Sequence, residues 1–328
     1  MEIVGRQVEF GVATEATRGT PETTVDKWLR KVTANIIEKA THAIDDTTRG
    51  RLEDGEGRRV IQKHIEGDLE GVLHADAFGY FLSNIYGVVN TTTINGSVKQ
   101  HVFTLKQNIQ HESLTLFVKS GSVQQLAFSN AMINTFEITA AIDDYVRFKS
   151  SFLASTPSSN SSTPSYDTEY DFIPKDITLK LADSEAGLAG ATAIKAKEFS
   201  IKWDQGLIRD HVVGSYNPSD IYNARLMIDG SFTVNFKDTT YKDLYLDDSS
   251  KYMSITIAGS VDIGSGNNPT IIILLNKVQI MDEGNSGGAN DLITEPINFR
   301  AFFNPSDNKQ STVTLKNLTA SYANVPSN

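Results

Sequence analysis

The chain has 328 residues, of which 39% are hydrophobic, with a net charge of −10 and no cysteine. An acidic chain without clustered Lys and Arg is not expected to grip the phosphate backbone of nucleic acid. The absence of cysteine excludes disulfides and thiolate metal sites, and the start lacks the pattern of a secretory signal. A reducing cytoplasm is therefore the expected compartment during assembly. No apolar run approaches the roughly 18 residues of a membrane span.

The first elements along the chain are an extended arm and a long hairpin. Residues 1–30 are rich in Thr and Gly and contain Pro21, which indicates an arm lying on other surfaces. From Lys31 the hydrophobic period becomes two, as in half-buried strands. The segment 45–59 is highly charged and glycine-containing, so it predicts a polar tip between two long strands.

The strand that follows this tip occurs twice. Ile65-Glu66-Gly67 precedes Leu69, and Ile228-Asp229-Gly230 precedes Phe232. The offset is 228 − 65 = 163, about half of the 328 residues. A repeat at half the chain length predicts two tandem copies of one structural unit.

Each copy leads into a short helix and further strands. Asp76 is the expected cap of a helix that ends at Gly87, and its counterpart begins near Asp238. Among the later strands, residues 276–280 resemble residues 134–138. The predicted organisation is an arm (1–30), a first module (31–154), a Ser/Pro-rich linker with an extra strand (155–183), a second module (184–304), and a last strand with a tail (305–328).

Residues that carry chemistry do not form a recognisable site. The histidine and acidic pairs of one copy are not repeated in the other, and no third metal ligand stands at readable spacing. The glycine-rich stretches lack the Gly-Lys-Ser/Thr of a phosphate-binding loop, and the paired aspartates lie in predicted turns. We therefore predict no catalytic residue, no cofactor and no metal, and expect the chain not to be an enzyme.

Polar side chains occupy one face of each repeated strand. In the first copy these are Glu66, Asp68 and Glu70, and in the second Asp229, Ser231 and Thr233. One interpretation is an ordinary solvated sheet face. The other is the wall of an aqueous channel, because carboxylates this close together are tolerated where water screens them.

The order of several short motifs resembles a known family. Residues 4–11 and 17–21, the Ile-acid-Gly strand leading into a helix, and residues 295–301 resemble tail tube proteins of long-tailed, siphovirus-type bacteriophages, in a duplicated-module form. The resemblance implies an α+β, mostly antiparallel β fold, with two β-sandwich modules that each carry a flanking helix. It also implies that inner sheets join between neighbours into a β-barrel tube, with trimeric, pseudo-hexameric rings stacked around a lumen.

The resemblance also implies partners and contacts. Expected partners are other copies of the chain, tape-measure and tail terminator or initiator proteins, and viral DNA that passes without specific binding. The expected location is the virion tail, assembled in the host bacterial cytoplasm. By position, the ring-stacking loops would include the following residues: Asp45, Asp46, Arg49, Arg51, Glu53, Asp54, Arg209 and Asp210.

Two rival functions remain open from the sequence. The first is the inner tube of a contractile injection or type VI secretion-like apparatus, for which rings of single modules would be expected. The second is a carbohydrate-binding or carbohydrate-hydrolysing two-domain β protein of a tail fibre. That function would need an aromatic platform or a carboxylate pair in a cleft, and the only tryptophans are Trp28 and Trp203.

Overall fold

A computed structural model describes residues 2–45, 47, 50–55 and 57–322. Within these residues the fold is α+β and mostly antiparallel β, with two α-helices. The strands form two β-sandwiches in tandem, and the sheets do not close into a barrel within the chain.

The described residues of the first half of the chain form nine strands and one α-helix. They are β1 (Val8–Thr14), β2 (Lys27–Leu29), β3 (Val32–Ile44), β4 (Arg58–Val72), α1 (Ala75–Tyr86), β5 (Gly87–Asn95), β6 (Val98–Leu105), β7 (Leu114–Ser120), β8 (Gln124–Ala141) and β9 (Arg147–Ala154). A 3-10 turn at Gly5–Gln7 precedes them.

The second half contains ten strands and a shorter helix. They are β10 (Ser158–Ser159), β11 (Ile177–Ala182), β12 (Glu198–Asp204), β13 (Ile208–Asp210), β14 (Asp220–Tyr222), β15 (Met227–Asn235), α2 (Thr240–Leu246), β16 (Lys251–Ala258), β17 (Thr270–Glu283), β18 (Thr294–Ala301) and β19 (Ser311–Asn317). Two 3-10 turns lie at Pro174–Asp176 and Ala186–Ala189.

One inner sheet runs without a break through both halves. Its strand order is β3-β4-β9-β8-β12-β15-β18-β17, and every neighbouring pair is antiparallel. The two halves meet where β8 pairs with β12, and there Phe136 lies opposite Trp203. Both side chains are fully buried, so this junction is part of the hydrophobic core.

Each half also has an outer sheet. The first consists of β2, β1, β7 and the beginning of β8, and the second of β11, β16, the beginning of β17, and β19. The hairpin β5–β6 comes from the first half, yet β6 pairs with β19 and so extends the outer sheet of the second half. The segment that was predicted to be an arm therefore contains β1, a buried strand of the first outer sheet.

The glycine of the repeated motif lies at equivalent places in both sandwiches. A Cβ atom on Gly67 would come within 2.7 Å of the Asn35 carbonyl oxygen and 2.8 Å of the Phe152 ring. On Gly230 it would come within 2.7 Å of the Ser200 carbonyl oxygen and 2.3 Å of the Phe299 ring. In each copy an aromatic ring from the neighbouring strand packs directly on the backbone, and only glycine leaves room for it.

A second sequence match between the halves has the wrong register. The likeness of residues 276–280 to residues 134–138 implied an offset of 276 − 134 = 142. Ile133 lies opposite Phe152 and Ile280 lies opposite Phe299, so the structural offset here is 280 − 133 = 147. A five-residue error is odd, so simple alternation does not produce it. In both strands a β-bulge, between Ile133 and Thr135 and between Ile280 and Asp282, shifts the alternation by one residue.

The connection between the sandwiches is fixed by ion pairs. The buried Lys27 Nζ lies 3.0 Å from Asp167 Oδ2 and 3.0 Å from Glu169 Oε1. His74 Nε2 lies 2.8 Å from Asp171 Oδ1. Burial raises the pKa of the Glu169 carboxyl, and the charge of Lys27 acts in the opposite direction. This segment is thereby held against the first sandwich despite its low-complexity start.

Candidate functional site: the open sheet face and the sheet edges

The six polar residues of the repeated strands lie on one face of the inner sheet. On β4, Ile65 and Leu69 point into the core, while Glu66, Asp68 and Glu70 point away from it. On β15, Asp229, Ser231 and Thr233 have the same orientation, opposite to the buried Ile228 and Phe232. Three strands separate β4 from β15, so the two sets share a face without forming a cluster.

A row of alternating charges crosses this open face. Strand by strand, the residues in register are Glu70, Lys149, Glu137, Lys202, Asp229 and Arg300. Thr33 and Gln279 stand at its two ends. Directly opposed side chains in antiparallel strands have Cβ atoms roughly 5 Å apart, so each charge has an opposite charge beside it. We call these six residues the charged row.

The contacts within the open face are mostly between strands. Arg300 donates to Asp229 through Nε at 2.5 Å and Nη2 at 3.2 Å. Lys39 Nζ lies 3.1 Å from Glu66 Oε1. The face is therefore not of one sign, as the carboxylates of β4 alone suggested. The cations of the charged row were missed because they lie on other strands, and strand order is not readable from alternation.

Within the part of the chain that the structure describes, the outer sides of β3 and of the last part of β17 are unpaired at the two ends of the inner sheet. Among the described residues, β3 pairs only with β4. At the other end, the last part of β17 pairs with β18 on one side, and the outer sheet strand β16 stops at Val278. Unpaired strand edges carry free N–H and C=O groups and favour pairing with another strand.

The edge at β3 also opens an apolar groove between the two sheets of the first sandwich. The cavity measures about 280 Å³. Its lining is mainly apolar and includes Val8, Phe10, Ala34, Ile36, Ile65, Val118, Leu126, Phe128 and Pro157. We call this cavity the edge groove. It exposes side chains that a closed sandwich would bury.

The two helices differ sharply in burial. Eleven of the twelve residues of α1 are buried, and Phe78 and Phe81 of this helix pack against Phe136 at the β8–β12 junction. None of the residues of α2 is buried, and Tyr245 and Leu246 are 39% and 64% exposed. The helix of the first half thus packs over the junction with the next sandwich. The helix of the second half has no second sandwich against it in the described chain.

These edges and faces suit assembly, and comparison with known proteins identifies the chain. A sequence model described as phage tail tube protein matches residues 5–301. The chain belongs to the phage tail tube protein family. No curated protein sequence matches it closely. A phage tail tube protein is a structural component of the virion tail that assembles with itself into a tube.

The predicted stacking residues of this tail tube protein fall in two unlike connections. Asp45, Arg51, Glu53 and Asp54 are exposed between the ends of β3 and β4, while Asp46 and Arg49 lie outside the described residues. Arg209 and Asp210 belong to β13, which pairs with β14 in a small hairpin.

The second connection is tied to the rest of the tail tube protein. The backbone N–H of Lys63 donates to the Tyr216 carbonyl at 2.7 Å, and that of Asn223 donates to the Ile109 carbonyl at 2.9 Å. Arg18 Nε lies 2.9 Å from Asp220 Oδ1, which joins the N-terminal segment to the second half. The connection between β13 and β14 is therefore packed against neighbouring segments. The β3–β4 hairpin has longer strands than its counterpart.

Two other kinds of site are absent from the described residues. No three His, Asp or Glu side chains in the described part of the chain are close enough to hold a metal ion. None of its described helices is long and apolar enough to cross a membrane.

Proposed function

We propose that three copies of this tail tube protein close into a ring whose inner wall is the open face of the inner sheet, and that the rings stack into a conduit for viral DNA. Each chain then supplies two neighbouring segments of the wall, one from each sandwich. The six-fold rings implied by the family resemblance and the two repeats in each chain support a pseudo-hexameric trimer.

The observation that carries the proposal is the junction inside the chain. There β8 of the first sandwich pairs with β12 of the second over seven residue pairs, from Thr135↔Asp204 to Ala141↔Glu198. The counterpart of β8 is β17 and the counterpart of β12 is β3, and these are the two edges without a partner in the described chain. Repeating the internal junction between chains pairs them and removes both edges.

The helices support the same arrangement. If the contact around α1 is repeated between chains, α2 with its exposed Tyr245 and Leu246 approaches the edge groove of the next chain. Burial of apolar area contributes roughly 25 cal/mol per Å², so covering the groove favours association. A head-to-tail interface of this kind closes into a ring when the rotation per chain allows it.

The wall of this ring would be hydrated and close to neutral. The charged row crosses strands of both halves, so it would continue around the lumen at one level. Alternating charges satisfy one another locally and offer no continuous positive surface to phosphates. We infer that Glu66, Asp68, Glu70, Asp229, Ser231 and Thr233 face this lumen, and that DNA passes without specific binding.

Stacking would use the β3–β4 hairpin. We infer that its tip, residues 45–57, contacts the adjacent ring through residues that include Asp45, Arg51, Glu53 and Asp54. Each ion pair at such a surface is weak, but the same pairs recur in every chain of the ring and add together. Asp46 and Arg49 are assigned to the same tip by position, and Arg209 and Asp210 of β13 to a second stacking loop in the other half. Tape-measure, terminator and initiator proteins are the further partners proposed, with assembly in the host cytoplasm.

The inner tube of a contractile or secretion-like apparatus is the remaining alternative. The tandem duplication favours a trimer of double modules over a hexamer of single ones. The family match over residues 5–301 is to a tube protein and gives no support to the carbohydrate-active alternative.

Sedimentation velocity and negative-stain electron microscopy of the purified chain test the proposal. We expect a species of three times 36.0 kDa, and annular particles or tubes with a central hole. A chain that stays monomeric at high concentration, or rings of six chains, would contradict it.

A further inference from the structure

The β3–β4 hairpin leaves the molecule at one end, and a pocket that contains a buried acid opens at the other. Strands β4 and β15 run in the same direction through the inner sheet, since they are joined through β9, β8 and β12 by antiparallel pairs. The tip lies at the end where β4 begins. The pocket lies where β15 ends and α2 begins.

The pocket has a volume of about 380 Å³ and lies between the chain before β12 and the start of α2. Its charged lining residues are Lys195, Lys237, Asp238 and Glu295, and Asn235 and Tyr241 also line it. Both lysines are exposed, whereas Glu295 is buried. We call it the acid pocket. It has no counterpart in the first sandwich, because the residue in the position of Glu295 there is the buried Phe148.

Glu295 is a buried carboxylic acid in the wall of this pocket. Its side chain is 1% exposed, and Oε1 has no hydrogen-bond partner among the described residues. Asn235 Oδ1, on the same wall, is also buried without a partner. Burial raises the pKa of the Glu295 carboxyl, and the carboxylates of Glu283 and Asp238 raise it further. A buried acid that lacks a partner costs stability unless a cationic group completes it.

The hairpin offers such a cation. Strand β4 begins at Arg58, and the position matching the start of β15 is 227 − 163 = 64, so the hairpin is six residues longer than its counterpart. Six extended residues add roughly 20 Å, before the tip itself is counted. Arg51, Arg58 and Arg59 are exposed on this extension.

We propose that the acid pocket binds an arginine from the β3–β4 hairpin of a second copy of this chain, in the adjacent ring. This rests on the proposed ring and tube. Each chain carries one long hairpin and one acid pocket, so three hairpins meet three pockets in each ring-to-ring contact. A pseudo-hexameric ring could otherwise stack in two similar registers. The pocket selects the one in which first modules stand over second modules.

Glu295→Gln is the first test, because it keeps the shape of the side chain and removes the charge. We expect rings to form normally and the protein concentration required for tubes to rise at least about tenfold, which corresponds to the loss of one favourable 1.4 kcal/mol contact. The melting temperature of unstacked rings should stay level or rise by about 2 °C, since an uncompensated buried acid has been removed. The matched control is Asp143→Asn, an exposed carboxylate at the same end of the first sandwich, which should form tubes as the unmodified chain does.

A double-mutant cycle identifies the occupant. Replacing Arg51, Arg58 and Arg59 together with Ala should weaken tube formation to a similar degree, and adding Glu295→Gln should weaken it little further. Additive losses would mean that the pocket and the hairpin act separately, and normal tubes from Glu295→Gln would mean that the pocket is not used. Either result would overturn the inference about the acid pocket and leave the proposed function standing. Failure of the unmodified chain to form rings would instead overturn the proposed function.

Discussion

The two helices of this tail tube protein are copies of one element in different surroundings. Helix α1 is buried almost completely, between its own sandwich and the next one along the chain. Helix α2 follows the same strand of the repeat and has no buried residue. The difference agrees with the proposed ring, in which the isolated chain completes one junction between sandwiches and a neighbouring chain would complete the second.

The sharpest test of this comparison is to truncate one aromatic residue in the buried helix. Phe81→Ala should destabilise the chain by about 3–5 kcal/mol, because a fully buried ring is replaced by a cavity. Leu246→Ala in α2 is the contrasting variant, and should change the stability of the unassembled chain by less than about 0.5 kcal/mol. Chemical denaturation of both variants measures the two values, and equal losses would contradict the comparison.

The next test places a charge at the free edge. Ile36 lines the edge groove, whereas its neighbour Ile37 is 41% exposed on the open face. Ile36→Lys should abolish rings while the chain remains folded, since a buried unpaired ammonium at the interface costs several kcal/mol. Ile37→Lys should still form rings. Sedimentation and circular dichroism separate the two outcomes, and rings from Ile36→Lys would place the interface elsewhere.

The repeat itself can be tested at its two glycines. Gly67→Ala and Gly230→Ala should each cost about 1–3 kcal/mol, because the added methyl group overlaps a carbonyl oxygen and an aromatic ring. Similar losses in thermal unfolding would agree with equivalent packing in both sandwiches. A neutral substitution at either site would mean that the strands there separate readily.

The smallest expected effect concerns the charged row. Lys202→Glu places a third acid between Glu137 and Asp229, and should cost roughly 1 kcal/mol or less at this solvated face. Rings should still form, and the loss of stability should decrease as salt concentration rises. Lys197→Glu, a charge change outside the row, is the control. A loss that is independent of salt would argue against an electrostatic origin.

Several parts of this structure were readable from the sequence. The Ile-acid-Gly repeat predicted tandem modules. Its glycine is required where an aromatic ring packs on the strand backbone, and this contact occurs in both modules. The α+β class and the family were predicted correctly, and the hairpin of β3 and β4 follows from period-two strands around a charged tip. Alternation along β4 also separated Glu66, Asp68 and Glu70 from the core.

Features that depend on strand order could not be predicted. Lys149, Lys202 and Arg300 join the charged row only through pairings between distant segments, and local patterns contain no information on those pairings. The register of β17 was missed because the bulges that shift its alternation are not visible in the sequence pattern. The burial of Glu295 could not be predicted, because Thr294–Ala301 has the pattern of an ordinary alternating strand. Nothing in that pattern indicates a cavity beside the first residues of the strand.

The pairing of β6 with β19 has a consequence for the history of the molecule. A strand from the first half completes a sheet of the second over five residue pairs, and the buried Tyr322 contacts His101 and Phe103 from the same region. Cutting the chain at its linker would leave each fragment with an unfinished sheet and an uncovered core. Each half is therefore part of the packing of the other, and neither is expected to fold as a separate single-module subunit.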